Sequence, residues 1–297
     1  MRPRVVLLAV LAVTLGLAML AVPAARARIA SIGETAAGAS AAVAPRDHLL
    51  VAMQAPPPAP TLRARPVTMT VTGFGAWAFL DRRTGKLTTS SNTSGTTSTE
   101  SMIKAWITSD YLRRADASGV TPSSAVLAEL SRMIRDSDDD AAEDIYRQDG
   151  YDAVIQRLIS TCRLTDTSVY PYWWSRTQIS ARDAVRMGAC IADGRAAGRK
   201  WTPWVLSEMR QVRGTIAQQP DGGRWGIIDG LPKPLSSEIS MKNGWTQIGM
   251  DNSWHVTCLA IHRDWVLSVL VRYPASLGLK YGAAACASVT RQLVVVE

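Results

Sequence analysis

Ser98-Thr99-Glu100-Ser101-Met102-Ile103-Lys104 is the point at which a polar, Ser/Thr-rich loop becomes an amphipathic helix that continues through Ala105-Trp106-Ile107 towards Arg114. Residues three apart share a helix face, so the Lys104 amine can rise beside the Ser101 hydroxyl. A serine becomes a nucleophile when a neighbour takes its proton, and the positive end of a helix dipole favours an oxyanion formed above it. Ser and Lys at this spacing also meet by chance. The segments on either side therefore decide what the pair means.

Upstream, Val67 to Leu80 is rich in β-formers, Asp81 to Gly85 is a turn, and Lys86 to Ser91 can pair back, which predicts a β-hairpin. Gly73-Phe74-Gly75 lacks the third glycine and the helix of a dinucleotide fingerprint. Downstream the chain is helical. Pro122 to Arg135 places Val126, Leu127, Leu130, Met133 and Ile134 on one stripe, and Ser137 and Asp138 can cap a helix over Asp139 to Gln148. Tyr151 to Cys162, Ala181 to Ala192 and Pro203 to Val212 complete the helical block.

The last quarter returns to strands at Ser237 to Lys242, Trp254 to His262 and Trp265 to Tyr273, followed by a helix from Leu279 to Val295 whose Ala283-Ala284-Ala285-Cys286-Ala287 can lie close to a sheet. Asn243-Gly244 also reads as a type I′ turn that would end its strand. Strands at both ends with helices between them predict an α+β protein. Its antiparallel sheet is built from the N- and C-terminal segments and flanked by helices, with a helical lobe inserted. The sheet lobe takes residues 67–100 and 215–297, the helical lobe 101–214, and Ser101 lies at their junction, where a cleft can form.

Arg2 and Arg4 precede an apolar run from Val5 to Val22 that ends in Ala25-Arg26-Ala27, the pattern of a secretory signal peptide over residues 1–27; a retained membrane anchor is the alternative. No Cys follows the run, so lipidation there is not indicated. Residues 28–66, rich in Ala and Pro, read as a linker. Loss of 1–27 removes three arginines and no acid, so the net charge falls from +8 to +5. The remaining basic residues are scattered, which argues against nucleic acid and for a soluble protein drawn to anionic envelope polymers.

Export gives the four cysteines a meaning, because an even number in an oxidising compartment suggests two disulfides, with three pairings open. Cys162 with Cys190 and Cys258 with Cys286 is preferred, since each joins neighbouring elements across a span worth about 3 to 4 kcal/mol in chain entropy. Four buried free thiols are the alternative. With only His48, His255 and His262 and no His-Glu-x-x-His or Cys-x-x-Cys, neither a metal site nor a cofactor is expected.

Two further signals follow Ser101-x-x-Lys104 in order: Ser137-Asp138-Asp139 opening a helix, and Lys242-Asn243-Gly244 at a strand end. Together they resemble the Ser-x-x-Lys, Ser-Asp-Asn and Lys-Thr-Gly motifs of serine β-lactamases and penicillin-binding proteins. Met133-Ile134-Arg135, Ala141-Ala142, Ala181-Arg182-Asp183 and Gly230-Leu231-Pro232-Lys233 look like class A β-lactamase sequence, and the resemblance covers residues 67–297. It implies acyl transfer. Ser101 would be the nucleophile, Lys104 would assist its deprotonation, and Ser137 would pass a proton to the leaving nitrogen. Asp139, Lys242, Asn243, Gly244 and Trp245 would bind substrate, with Lys242 supplying positive potential for a carboxylate and the Ser101 and Trp245 N–H groups forming the oxyanion hole.

The departures from the family matter as much. Asp139 stands where the motif has Asn, and its charge favours a protonated Lys104. Asn243 replaces a hydroxyl residue, and the interval from Ser101 to Ser137 is short. Tyr170-Pro171 falls where the family has Glu-Pro, and a phenol with a pKa near ~10 is a poor base for a deacylating water. Trp173, Trp174 and Trp245 read as packing residues. The sequence thus predicts an exported, monomeric serine acyl-hydrolase or acyl-transferase acting on a cell-envelope peptide or ester, peptidoglycan-derived or otherwise small, with weak or no β-lactam turnover. The rival is a catalytically degraded envelope-binding protein that keeps the fold.

Overall fold

A computed structural model describes residues 60–218 and 222–296. The expected signal peptide, and the linker as far as residue 59, lie outside the described residues. The linker's last part is not linker. β1 (Pro60–Leu62) pairs antiparallel with the final strand, β10 (Val294–Val296), and Leu62 is buried. That pairing also ends the C-terminal helix two residues before the sequence predicts.

β2 (Phe74–Asp81) and β3 (Leu87–Thr89) form the expected hairpin, its turn closed by the Asp81 carboxylate, which accepts from the Arg83 and Thr84 N–H groups. The strand starts at Phe74 rather than Val67 because Gly73 takes φ +107° with no room for a side chain: a Cβ there would lie 2.5 Å from the Arg272 carbonyl oxygen. β4 (Thr96–Ser98) leads into the helical block of α1 (Lys104–Ala117), α2 (Ser124–Arg135), α3 (Asp139–Gln148) and α4 (Asp152–Cys162), after which β5 (Gln178–Ser180) pairs back with β4.

α1 is the hub of that block. Met102, Ile103, Ala105, Trp106, Ile107 and Leu112 are fully buried, and the helix packs against α2, α3 and α4. Its polar residues are buried with their partners: Asp110 is held by Arg113 and Arg157, and Trp106 Nε1 donates to the Val154 carbonyl at 3.0 Å. Ser123 caps α2 through the Val126 N–H. Asp138 alone caps α3, accepting from the Ala141 N–H at 3.0 Å, which leaves the Ser137 hydroxyl for other work.

α5 (Ala181–Ala192) follows, capped by Ser180 on the Asp183 N–H. α6 (Gly198–Arg210) begins five residues before Pro203, with the Thr202 hydroxyl donating to the Gly198 carbonyl in the turn that contains it. After α7 (Lys233–Ser236) come β6 (Ser240–Met241), β7 (Gly244–Ile248), β8 (Ser253–Ile261), β9 (Trp265–Pro274) and α8 (Gly278–Leu293). The main sheet runs β3-β2-β9-β8, with β6 and β7 both on the outer edge of β8, and is antiparallel throughout.

Asn243-Gly244 is not a hairpin turn. Ser240 faces Ile261 and Gly244 faces Thr257, so the register against β8 runs through Lys242 and Asn243 without a slip. α5 and α8 cover opposite faces of the sheet: a Cβ on Gly188 of α5 would meet Leu259, Ile261 and Val266, whereas Gly282 of α8 lies against Val256 and Tyr273. Alternate residues of β8 supply the two sets, as the two-residue period of a strand requires. Both preferred disulfides form, Cys162–Cys190 joining α4 to α5 and Cys258–Cys286 joining β8 to α8.

Candidate active site

Glu100–Ile103 form one tight helical turn that feeds straight into α1 at Lys104. The chain enters it through Glu100 at φ +47°, a left-handed conformation rare for a residue with a side chain. Ser101 is thereby set at the mouth of a cavity of about 420 Å³. Ser137, Asp139, Asp140 and Glu143 come to the same cavity from the start of α3, Trp173, Trp174 and Ser175 from the loop before β5, and Trp245 and Thr246 from β7.

Lys104 and Lys242 lie beneath its floor, both fully buried. Lys104 Nζ donates to the Ser137 carbonyl oxygen and to Asp139 Oδ1, each at 2.5 Å, with Ser137 Oγ at 3.5 Å. Lys242 Nζ donates to Ser137 Oγ at 2.9 Å and to the Asn243 carbonyl at 3.3 Å. Ser137 can stand between the two amines because it adopts φ +62°, which turns both its hydroxyl and its carbonyl towards them. With both ammonium groups donating to it, its own proton is free to point into the cavity.

Burial lowers the pKa of Lys104, while the Asp139 carboxylate pulls it back towards the charged form. For Lys242, burial and then the neighbouring Lys104 charge both act downward, and its pKa falls well below the ordinary lysine value. Trp174 lies over the first ammonium, 5.1 Å from ring centroid to Nζ, and is itself fixed by a hydrogen bond from its indole N–H to Glu143. Trp245 lies 5.9 Å from the second and packs edge-on against Trp225. Cation–π contacts of this kind partly replace the water the ammonium groups have lost.

The free edge of β7 faces the Ser101 turn. Lys242 N–H donates to the Leu259 carbonyl at 3.1 Å. In an antiparallel ladder, Lys242, Gly244 and Thr246 therefore direct their backbone groups to β8, while Asn243 and Trp245 turn theirs to the other side. Gly244 comes so close that a Cβ would sit 2.6 Å from the Thr99 carbonyl oxygen and 2.7 Å from the Ser101 nitrogen. Only glycine permits that approach.

Ser101, Ser137, Asp139, Gly244 and Trp245 thus meet around one cavity, with Lys104 and Lys242 under it. Two residues behave otherwise than the sequence suggests. Asn243 turns its side chain away, Nδ2 donating to the Gly223 and Trp225 carbonyls at 3.0 and 2.7 Å, and is fully buried there. Ser101 Oγ has no hydrogen-bond partner among the described residues, and the Lys104 amine is engaged elsewhere. Tyr170 stands outside the cavity lining, half-exposed, against Trp173. Glu100 lines the cavity and is not singled out by the sequence; its neighbours come from β4, β7 and β8, and no spacing along the chain announces them.

No family model matches the chain. It is 31% identical over 194 residues to proteins of Mycobacterium bovis and Mycobacterium tuberculosis named "Putative lipoprotein LppW", the match covering 62% of this chain and 58% of theirs. The chain therefore spans less than two thirds of the length of these relatives. Among solved structures it is similar to an ancestral class A β-lactamase reconstructed for Gram-negative bacteria, with a TM-score of 0.59 at 14% identity over 74% of this chain and 93% of that one. A variant of the TLA-1 extended-spectrum β-lactamase gives a TM-score of 0.61 at 12% identity over 75% and 93%. The class A β-lactamase of Mycobacterium abscessus gives 0.56 at 13% identity over 74% and 92%. A sheet closed by both ends of the chain, helices on both its faces and a helical block carrying the Ser-x-x-Lys turn are together the class A β-lactamase fold, and this chain has that fold.

Proposed function

We propose that the protein is an exported serine acyl-hydrolase or acyl-transferase that works through an acyl-enzyme on Ser101, with a cell-envelope peptide or ester as substrate and little turnover of β-lactams. The observation that carries this reading is convergence: two hydroxyls and two amines, drawn from residues 101, 104, 137 and 242, lie around and beneath one cavity. In this reading Lys104 first loses its own proton to solvent and then, as the neutral amine, takes the proton of Ser101 as Ser101 attacks the acyl carbon; Ser137 gives its proton to the leaving group and is reprotonated by the Lys242 ammonium. The oxyanion is received by the N–H groups of Ser101 and Trp245.

Weak β-lactam turnover is supported by the walls. Asp139, Asp140 and Glu143 stand at the mouth, the Asn243 amide is turned away from it, and Tyr170, which the sequence aligns with a family glutamate, lies outside the lining. An anionic substrate carboxylate meets repulsion there before it reaches the buried lysines. Envelope location is supported by the two disulfides, by the Val5–Val22 run and by the lipoprotein name of the relatives. We assign export by signal cleavage on the Ala25-Arg26-Ala27 pattern that follows the apolar run.

The test is incubation with a fluorescent penicillin followed by intact mass measurement. A slowly released adduct is expected on the wild type and none on Ser101→Ala. An unmodified wild type, or equal labelling of the variant, overturns the assignment. One observation favours the second reading, a non-catalytic envelope-binding protein: Lys104 is tied to Asp139 and to the Ser137 main chain instead of to Ser101. That reading expects retention on purified peptidoglycan unchanged by Ser101→Ala, with no adduct on either protein.

A further inference from the structure

Behind the oxyanion side of the cavity, hydrogen bonds link a buried carboxyl to the protein surface. Glu100 is 2% exposed. Ser98 Oγ lies 2.5 Å from Glu100 Oε1 and 2.7 Å from His255 Nδ1, and His255 Nε2 lies 2.8 Å from Asp251 Oδ2. The Asp251 side chain is 41% exposed, in the turn between β7 and β8. Thr246, directly opposite His255 in the ladder, stands beside Glu100 on the cavity wall, its hydroxyl donating to the Trp245 carbonyl.

The proton positions along this chain are constrained. An ionised Asp251 can only accept, so the proton of a neutral His255 sits on Nε2 and Nδ1 must be an acceptor. Ser98 has one proton to give and makes the shorter contact to Nδ1, Thr97 Oγ1 lying at 3.1 Å. Having donated to His255, Ser98 can only accept from Glu100. With His255 neutral, this arrangement places the shared proton on the Glu100 carboxyl; with His255 charged, Ser98 would instead donate to a carboxylate. Burial acts the same way, pushing Glu100 up and His255 down. The charged groups facing Glu100 from other elements are Arg176, which favours ionisation, and Asp139, which opposes it. Those facing His255 besides Asp251 are Arg272 and Arg176.

We propose that Glu100, kept neutral by Ser98, His255 and Asp251, is the positioning residue of the oxyanion hole. Its carboxyl ties the Ser101 turn to β4 and, through Ser98 and His255, to β8 beside β7, and so fixes the distance between the Ser101 and Trp245 N–H groups without placing a buried negative charge behind them. The proposal rests on Ser101 being the nucleophile. Ionisation of Glu100 opposes the developing oxyanion and loosens the bridge together.

The test follows the backbone amide resonances of Ser101 and Trp245 in the full chain from about pH 4 to pH 9, in the wild type, Glu100→Gln and Asp251→Ala. In the wild type both amides shift together, with one midpoint above the ordinary glutamate range. In Glu100→Gln, which keeps a donor towards Ser98, that common midpoint disappears, and only shifts that Lys242→Met removes remain. In Asp251→Ala the midpoint falls, because His255 becomes free to take the Nδ1–H tautomer and Ser98 then donates to a carboxylate. Amides that do not titrate, a common midpoint that survives Glu100→Gln, or a midpoint unmoved by Asp251→Ala overturns the proposal. Penicillin acylation supplies the second readout: the ratio of the wild-type rate to that of Glu100→Gln falls above that midpoint, and Glu100→Ala is slower than either by about 100-fold or more. A wild type that forms no adduct defeats the nucleophile assignment alone, since the amide titration still decides whether Glu100 governs the two N–H groups.

Discussion

The ammonium of Lys104 is 2.5 Å from the carboxylate of Asp139 and makes no hydrogen bond to the serine one helical turn before it. Burial lowers the pKa of the amine expected to serve Ser101 as general base, and the Asp139 carboxylate pulls it back towards the charged form. Asp139→Asn keeps the shape and removes the charge, so Lys104, already lowered by burial, loses its proton more readily. Because the Asp139 side chain is 78% exposed, solvent screens the pair, and acylation of Ser101 should quicken by about 3- to 10-fold. Adduct formation followed by mass at neutral pH checks this; an unchanged or slower rate removes Asp139 as the brake.

Lys242 predicts a pH dependence of stability. Its folded pKa lies well below the ordinary 10.5, through burial first and then the Lys104 charge. Between that depressed value and 10.5 the unfolded chain binds more protons than the folded one, so stability rises with pH across this window and the contribution is complete above it. Lys242→Met flattens the rise. Denaturant titrations from about pH 7 to pH 10 read it directly, and a slope equal to the wild type's in Lys242→Met refutes the assignment.

Gly244→Ala places a methyl group 2.6 to 2.7 Å from the Thr99 carbonyl and the Ser101 nitrogen. The edge strand must move away from the nucleophile turn, at a cost of about 1–3 kcal/mol, and any oxyanion donor on β7 moves with it. Acylation should fall by about 100-fold or more, with thermal melting showing the variant still folded. Acylation at the wild-type rate would show that β7 takes no part in the site.

The Cys258–Cys286 bridge ties β8 to α8 on the face of the sheet opposite α5 and closes a span of 28 residues. A Cys258→Ala, Cys286→Ala double variant should lose about 3 to 4 kcal/mol and about 10 °C of melting temperature. Calorimetry of the oxidised wild type against the double variant measures the loss, and equal melting temperatures count against the bridge as a source of stability.

Much of the architecture was legible because it rests on local periodicity. The apolar stripe of α2, the run Trp265 to Tyr273 and the small residues of α8 each state their partner surface in the order of their own side chains. Where the reading missed, a distant segment decided. Nothing in Pro60-Thr61-Leu62 announces a strand until Val294–Val296 lies beside it. Asn243-Gly244 has the composition of a turn, but the continuous register against β8 keeps it extended.

The sequence by itself determined the α+β class and which cysteines, serines and lysines were candidates, since each depends on residue type and spacing. Tertiary structure alone decided how those groups face one another. It gave Ser137 the left-handed backbone that offers it to both lysines, turned Asn243 inward, bound Lys104 to Asp139 and lined Glu100, Ser98, His255 and Asp251 into one chain. The reason is physical: hydrogen bonds and pKa shifts depend on separations of about 3 Å between atoms from remote segments, and on the water excluded around them. Neither quantity exists until the chain has folded.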